Sequence, residues 1–461
     1  MIRRTLALAV AASVLVVAAP AYAATSPDPG TNDAVGAPRL GDRTAEAIAT
    51  ATADARIARL LPSRFLRPSP IAASTAKGAL VVDPATGATL YSYNPGAALR
   101  GASTTKLATA VTTLRVLGTT TRFPTVVVDG RTSREIVLVA GGDPLLSSSQ
   151  LLRLARSTAA VLATRVPAAP DPAVSPAPVP VSFRISVRVD DTRFPAPTLA
   201  PGWPSTYVPG VVSPVRALKR DLRHGSDTSK DAATYFAGQV SVALKALLVA
   251  RTDLVPAAIY DGRLAAAAGA PEIARFAGNT SGAALNWMLK VSDNDVAEML
   301  FRNNAVARGI APTWAGARTN ETRELAALGV DTRGWAVYDG SGVGRYDRLT
   351  VRGLVSLLRL AISPDHPELR PLKGWLPIGG VDGTLSARAG RFTTTPTVCA
   401  RGEVFAKTGT LRDAIGLAGY ATGSDGRPRV FAVMVARNPA YAPLTTRRAV
   451  DLLPTTLTGC W

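Results

Sequence analysis

The sequence predicts an α+β fold in which strands from both ends of the chain form one antiparallel sheet and helices cover it. Strand-like runs of apolar and β-branched residues occur near the start of the chain and again near its end. Stretches with apolar residues at helical spacing lie between them. The strand-like runs cover residues 78–83, 89–93, 403–409, 416–422 and 430–437.

The first 23 residues have the pattern of a secretory signal peptide. Two arginines near the start precede a mostly apolar stretch at residues 5–19, and Ala21 and Ala23 form a small-x-small cleavage site. We therefore expect residues 1–23 to be removed and the mature protein to be secreted. No later apolar run approaches the ~18 residues that a membrane-spanning helix needs, so no transmembrane segment is expected after cleavage.

The next segment, residues 24–70, is expected to form a tail followed by a helix. Residues 24–43 are rich in Pro, Gly, Asp and Thr, which favours disorder. Residues 44–61 carry Ala, Ile and Leu at helical spacing, which predicts the helix.

Composition leaves several partner classes open. The chain has 461 residues, enough for two or three domains, and a formal net charge of +19. Such a charge suits nucleic acid, a membrane surface or an anionic wall polymer. The basic residues are scattered without interleaved aromatics, so we favour a solvated cationic surface and expect no nucleic-acid partner.

The two cysteines, Cys399 and Cys460, have no metal-site spacing. In an oxidising compartment they could pair, and closing the 61-residue separation would stabilise the fold by roughly 4 kcal/mol. Two free thiols are the alternative.

A Ser-x-x-Lys motif begins the first predicted helix of the core. Apolar residues recur at helical spacing from Leu107 to Leu114, and Gly118 follows as a stop signal. Ser103 and Lys106 are three residues apart and therefore share one helix face. A serine hydroxyl is a weak nucleophile until a base takes its proton, and a buried lysine amine can act as that base.

The character of the sequence changes in residues 121–280. Short strand-like runs occur at residues 125–128, 135–139 and 183–189, and residues 166–182 form a Pro-rich segment that predicts an extended loop. We interpret residues 121–280 as an insertion. It divides the domain that carries Ser103 into two parts, residues 71–120 and 281–461.

Two further motifs follow in the chain. Ser292-Asp-Asn294 lies between helical stretches at residues 283–290 and 296–304, and Lys407-Thr-Gly409 lies at the end of a predicted strand. Together with Ser103-x-x-Lys106, in this order, they are the motifs of penicillin-binding proteins and class A β-lactamases.

Over nearly all of residues 77–440 the chain resembles the D-alanyl-D-alanine carboxypeptidase/endopeptidase family, the class C low-molecular-weight penicillin-binding proteins. The long gap between Ser103 and Ser292 favours this family over small β-lactamases, which lack the insertion. Further segments similar to the family are residues 80–83, 102–107, 141–144, 191–194, 201–203, 290–298, 339–342, 380–384 and 407–410.

The resemblance implies a β-lactamase/transpeptidase-like serine hydrolase domain, an antiparallel sheet with helices, that carries a large inserted β-rich region. Residues 71–120 and 281–461 would form this penicillin-binding catalytic domain, and the protein would be associated with the cell wall. It further implies an exported serine D-Ala-D-Ala carboxypeptidase, endopeptidase or both. The partners would be peptidoglycan stem peptides and, as covalent inhibitors, β-lactam antibiotics.

Catalytic roles follow from the same resemblance. Ser103 would attack the carbonyl of the penultimate D-Ala, and Lys106 would be the base. Ser292 would relay a proton to the leaving amine, and Asn294 would hold Lys106 and the substrate amide. The backbone N–H groups of Ser103 and Thr410 would form the oxyanion hole.

Substrate-binding roles are implied in the same way. The residues expected to bind the substrate are Lys407, Thr408, Gly409, Thr410, Asp190 and Asp191. Lys407 and the two threonine hydroxyls would bind the terminal carboxylate. Asp190 or Asp191 would contact the cationic side chain of a diamino acid in the stem peptide. No metal or cofactor is implied.

Other hydrolase classes fit the sequence less well. The only histidines, His224 and His366, are not near a Gly-x-Ser-x-Gly elbow, which disfavours a His-dependent triad. A serine β-lactamase-like hydrolase remains the alternative enzyme, and a non-catalytic wall-binding protein is the alternative from another class. We expect Asp143 to form a turn, and residues 339–342 and 382–384 to form tight turns that shape the cleft.

Overall fold

Two five-stranded sheets organise the described part of the chain, which comprises residues 40–74, 76–171, 173, 179–436 and 444–461 of a computed structural model. The strands are β1 (Ala76–Val82), β2 (Thr89–Tyr93), β3 (Thr125–Asp129), β4 (Glu135–Val139), β5 (Val181–Asp190), β6 (Leu254–Arg263), β7 (Glu272–Phe276), β8 (Val404–Leu411), β9 (Ala414–Thr422) and β10 (Pro428–Ala436). The helices are α1 (Leu40–Leu66), α2 (Ser69–Ala72), α3 (Lys106–Leu117), α4 (Ser148–Thr164), α5 (Thr228–Leu247), α6 (Ser281–Val291), α7 (Asn294–Ala307), α8 (Trp314–Ala327), α9 (Val351–Leu360), α10 (Pro371–Trp375) and α11 (Leu444–Leu457).

The first sheet joins the two ends of the chain, as the sequence predicts. Its order is β2-β1-β10-β9-β8 and all its neighbours are antiparallel. In β10, Ala432 and Met434 pack with helices on one face, and Phe431 and Val433 pack with α1 and α11 on the other. Both faces are therefore covered, which explains why β9 and β10 are buried almost throughout. The predicted α+β fold with its antiparallel sheet is confirmed.

Helix α3 lies in the core against α6, α7 and α8. It follows a 3-10 turn at Ala102–Thr105, and Leu107, Val111 and Leu114 belong to the core on the helical face of the sheet. Gly118 ends the helix with φ +63°, a conformation that glycine adopts without cost. The predicted helix and its glycine stop are therefore present.

The second sheet is mixed and is formed between α3 and α6 in the sequence. Its order is β6-β5-β4-β3-β7; β5 is parallel to β4 and β6, and β3 is antiparallel to β4 and β7. Helices α4 and α5 share its core and were not predicted. The sequence contains a signal for the start of α4, because Ser147 and Gln150 have the spacing of a capping box and form one in the structure.

Two expectations about the chain's less regular parts have different outcomes. The expected signal peptide, residues 1–23, lies outside the described residues, and so do residues 172 and 174–178 of the Pro-rich segment. The last two residues of that segment, Val181 and Ser182, begin β5 and do not belong to a loop. Cys399 and Cys460 form a disulfide that connects the segment before β8 to the end of α11. Among the helices of the described ranges, none combines the length and the apolar character needed to cross a membrane.

Candidate active site

The serine of the first motif lies in the 3-10 turn that precedes α3 and is partly exposed. Ala102, just before it, has φ +47°, a left-handed conformation that a residue with a side chain rarely adopts. Strand β8 packs directly on this turn. A methyl group at Gly409 would lie 2.4 Å from the Gly101 carbonyl oxygen. Glycine at this position lets the third motif approach Ser103.

Lys106 is fully buried, and its amine donates three hydrogen bonds. The acceptors are Ser103 Oγ at 3.0 Å, Asn294 Oδ1 at 2.7 Å and the Ser341 carbonyl oxygen at 2.9 Å. All three are oxygens of uncharged groups. The amine thus has its donors satisfied without a carboxylate in direct contact.

Burial lowers the pKa of Lys106 to about 8, and the charges on Glu298 and Asp339 act in the opposite direction. With this value roughly a tenth of the amine is neutral at pH 7, whereas an ordinary lysine is almost entirely protonated. The neutral amine lies within hydrogen-bond distance of Ser103 Oγ and can accept its proton.

Ser292 and Lys407 form a second hydrogen-bonded pair. Ser292 connects α6 to α7 in a left-handed conformation, with φ +64°, and Asp293 caps α7 by accepting from the Val296 amide. The Lys407 amine, in the buried middle of β8, donates to Ser292 Oγ at 2.9 Å. Burial, and then the charge on Lys106, lower the pKa of Lys407 well below its usual range.

The hydroxyls of the third motif differ in exposure. Thr408 is buried and its Oγ1 lies 2.7 Å from Thr384 Oγ1, while Thr410 is exposed. The segment around Thr384 is held against α6, because Lys290 forms a 2.6 Å ion pair with Asp382. Tight turns at residues 382–384 therefore border β8, in agreement with the sequence-based interpretation.

The inserted region contributes a backbone contact that the sequence analysis missed. Asn294 Nδ2 donates to the Val211 carbonyl oxygen at 2.8 Å. The next residue on α7, Asp295, is buried and forms an ion pair with Lys219; it also accepts from the Ser213 amide at 2.7 Å. These bonds attach the segment 211–219 to the start of α7. No motif marks that segment.

The Ser341 carbonyl was also missed, although its turn was predicted. Asp339 accepts from the amides of Gly342 (2.6 Å) and Gly344 (2.7 Å), and Trp203 Nε1 donates to it at 2.7 Å. The similarity of residues 290–298 and 339–342 to the family was a signal for this turn, but it assigned no function to a backbone carbonyl. Asp143, as expected, forms a turn by accepting from the Leu145 amide.

Asp190 and Asp191 have their contacts at the end of β5. Asp190 accepts from the amides of Thr192 and Ala266, and Asp191 forms ion pairs with Arg216 and Arg263. The structure thus brings Ser103, Lys106 and Asn294 into one hydrogen-bonded group and Ser292 and Lys407 into a second. Asp190 and Asp191 are hydrogen-bonded or ion-paired to other residues.

Comparison with known proteins gives one family. The model of the D-Ala-D-Ala carboxypeptidase 3 (S13) family matches residues 69–221 and 270–457. A carboxypeptidase of Mycobacterium tuberculosis is 32% identical over 387 residues, which cover 82% of this chain and 79% of that protein. The D-alanyl-D-alanine carboxypeptidase of an Actinomadura species is 29% identical over 486 residues, covering 87% and 86% of the two chains.

A solved structure gives the same answer for the fold. Penicillin binding protein 4 of Haemophilus influenzae superposes with a TM-score of 0.67 at 19% identity, covering 87% of this chain and 98% of that chain. A second structure of that protein, in complex with a β-lactam, superposes with a TM-score of 0.61 at 20% identity.

Proposed function

The chain belongs to the D-Ala-D-Ala carboxypeptidase 3 (S13) family and is a serine-type D-Ala-D-Ala carboxypeptidase, and we propose that it works through an acyl-enzyme on Ser103. The observation that carries this proposal is the buried Lys106 amine, 3.0 Å from the hydroxyl of Ser103. The proposed substrates are peptidoglycan stem peptides that end in D-Ala-D-Ala.

The first step is acylation. Neutral Lys106 takes the proton of Ser103 Oγ as this oxygen attacks the carbonyl carbon of the penultimate D-Ala. The backbone N–H groups of Ser103 and Thr410 would stabilise the oxyanion. When the tetrahedral intermediate collapses, the C–N bond breaks, and Ser292 donates its proton to the departing amine of the last D-Ala. Ser292 receives in return the proton that Lys106 had taken from Ser103, so Lys106 becomes neutral again. Water then hydrolyses the ester and restores Ser103.

The terminal carboxylate of the substrate would bind at β8. Lys407 supplies the positive charge, and the hydroxyls of Thr408 and Thr410 supply hydrogen bonds. Burial beside Lys106 disfavours charge on Lys407. A substrate carboxylate would be the missing counter-charge, so its binding would favour the charged form of Lys407.

The domain organisation is part of the proposal. Residues 71–120 and 281–461 would form the penicillin-binding catalytic domain, and residues 121–280 the inserted domain, in which β3 is the first strand and β7 the last. Residues 1–23 would direct export, so that the enzyme meets peptidoglycan. Asp190 or Asp191 would recognise a cationic diamino acid only if substrate displaced their present partners.

β-Lactams would acylate Ser103, and the resulting acyl-enzyme would be hydrolysed slowly. A class A β-lactamase needs a carboxylate that activates the deacylating water. The buried Glu298, one turn into α7, accepts from the Ser341 and Gly340 amides through its two oxygens, at 2.9 and 2.8 Å. Glu298 is thus engaged with backbone donors, which favours the peptidase over the β-lactamase alternative.

The test uses the wild-type protein and Ser103→Ala with a fluorescent penicillin. We expect stable labelling of wild type, a mass increase of one penicillin located on residue 103, and no labelling of Ser103→Ala at an unchanged melting temperature. Rapid turnover of the drug would instead favour the β-lactamase. Wall binding without labelling would favour the non-catalytic protein. Products from linear and cross-linked wall peptides would then separate carboxypeptidase from endopeptidase activity.

A further inference from the structure

The peptide group between Ser341 and Gly342 connects the catalytic lysine to a buried carboxylate. Its carbonyl oxygen accepts from Lys106 Nζ at 2.9 Å, and its N–H donates to Asp339 Oδ1 at 2.6 Å. A negative charge at the N–H end polarises the peptide and makes its carbonyl a better acceptor for the lysine amine.

The turn that presents this carbonyl is fixed by its neighbours. Asp339 accepts from N–H donors with both of its oxygens, including the Gly344 amide at 2.7 Å. A methyl group at Gly342, where φ is +79°, would lie 2.0 Å from the Ala102 carbonyl oxygen. The turn thus packs directly on the residue before Ser103.

Asp347 is a second buried carboxyl group beside the turn that contains Asp339. It is 1% exposed; its Oδ1 accepts from the Tyr338 amide at 2.7 Å, and as a carboxylate its Oδ2 would have no donor. A methyl group built on Gly344 would lie 2.9 Å from Asp347 Oδ2 and 3.0 Å from Asp339 Oδ2, so these two oxygens are at most 5.9 Å apart. The two carboxyl groups are close enough for a side-chain hydrogen bond between them.

Two buried carboxyls placed in this way share one proton more easily than they carry two negative charges. We propose that Asp347 is a positioning residue that stays protonated in the active enzyme and donates its proton in a hydrogen bond to Asp339, thereby holding the Ser341 carbonyl on Lys106. Burial and the charge on Asp339 raise the pKa of Asp347 well above its usual range, which agrees with this assignment.

The other charged groups around Asp347 act consistently. Glu298, across the same turn, acts in the same direction, because any negative charge on it would oppose ionisation of Asp347. Burial, and then the charge on Asp339, raise the pKa of Glu298 as well. The Arg348 guanidinium donates to the backbone carbonyl of Asp347 at 2.8 Å and not to its carboxyl group. The inference rests on the proposed role of Lys106 as the base.

The test compares Asp347→Ala with Asp347→Asn in the full chain. Alanine removes the donor to Asp339, so we expect penicillin acylation per folded molecule to fall tenfold or more. The midpoint of its rise with pH should also move to lower pH, because the Lys106 ammonium loses a partner. Asparagine can accept from Tyr338 and donate to Asp339, as protonated Asp347 would. It should therefore recover the rate to within about threefold of wild type.

Stability gives a readout that does not depend on catalysis. A carboxyl with a raised native pKa binds its proton in the folded state, so wild type loses stability as pH rises from about 4 towards that pKa. Asp347→Asn has no such proton. Its folding equilibrium constant should gain on that of wild type by up to tenfold per pH unit over this range.

Two results would overturn the inference. One is an Asp347→Asn variant as impaired in acylation as Asp347→Ala, and the other is a stability difference between Asp347→Asn and wild type that stays constant from pH 5 to pH 8. Wild type that is not labelled by penicillin would contradict the proposed function instead. The stability comparison would still decide the protonation of Asp347.

Discussion

Two buried lysines contact successive residues at the start of α7, and their partners differ in charge. Lys106 donates to the Asn294 amide and to two other uncharged oxygens, whereas Lys219 forms an ion pair with Asp295. A buried amine without an adjacent carboxylate gives up its proton more readily, which suits a base. A buried ion pair instead attaches one segment of the chain to another.

The first turn of α7 therefore contacts both the proposed base and the inserted region. Asn294 contacts Lys106 with its oxygen and the Val211 carbonyl with its nitrogen. The segment that contains Val211 is attached through Ser213 and Lys219 to Asp295. The ion pair thus holds the backbone carbonyl that fixes the orientation of the Asn294 amide.

The largest effect should separate the two lysines. Lys106→Met removes the proposed base, so we expect penicillin acylation to fall by 10²–10⁴-fold. Lys219→Met removes the ammonium that is ion-paired with the buried Asp295 carboxylate, so we expect a loss of about 3–5 kcal/mol in the free energy of unfolding. Stopped-flow acylation and denaturant unfolding of both variants give the two numbers.

Each variant is the control for the other. The folded fraction of Lys219→Met should keep acylation within tenfold of wild type, because none of its contacts involves Ser103 or Lys106 directly. If Lys219→Met lost as much acylation per folded molecule as Lys106→Met, the division between a base and an attachment would be wrong.

A charge placed between the two regions should have an intermediate effect. In wild type, acylation should rise about tenfold per pH unit below a midpoint near pH 8, the pKa to which burial lowers Lys106. Asn294→Asp adds a carboxylate at the position 2.7 Å from Lys106 Nζ, which favours the ammonium. We expect its midpoint to rise by at least one pH unit.

The measurement is acylation rate against pH from 6 to 10. Asn294→Ala is the matched variant, since it removes the same amide without adding charge and should not raise the midpoint. An unmoved midpoint in Asn294→Asp would mean that Lys106 is not the group whose deprotonation limits acylation.

The smallest effect should come from Ser213, which bonds to Asp295 and not to Ser103, Lys106 or Asn294. Its Oγ donates to Asp295 Oδ2 at 2.8 Å, so Ser213→Ala leaves one lone pair of a buried carboxylate unsatisfied. We expect a loss of about 1–2 kcal/mol in the free energy of unfolding and less than a twofold change in acylation. A change in acylation of more than twofold would show that segment 211–219 acts directly on the group formed by Ser103, Lys106 and Asn294.

Local patterns predicted the main sheet and the helix that follows Ser103 well. Strands β1, β2 and β8–β10 follow the apolar runs, and α3 ends at the glycine that the pattern indicated, because periodicity and turn residues act over a few neighbouring positions. Helices α4 and α5 were missed. They lie in a region whose short strand-like runs dominated the interpretation, although Asp227 caps α5 and Ser147 caps α4.

The motifs indicate which side chains could carry the chemistry, because their members are separated by fixed short spacings; these side chains are Ser103, Lys106, Ser292, Asn294 and Lys407. The groups that surround them depend on how the whole chain folds. The acceptors for the lysine amine and the asparagine amide include the carbonyls of Ser341 and Val211, and every residue of a chain has a carbonyl. Only the folded arrangement determines which carbonyl is brought to a given amine, and burial then changes that amine's affinity for its proton.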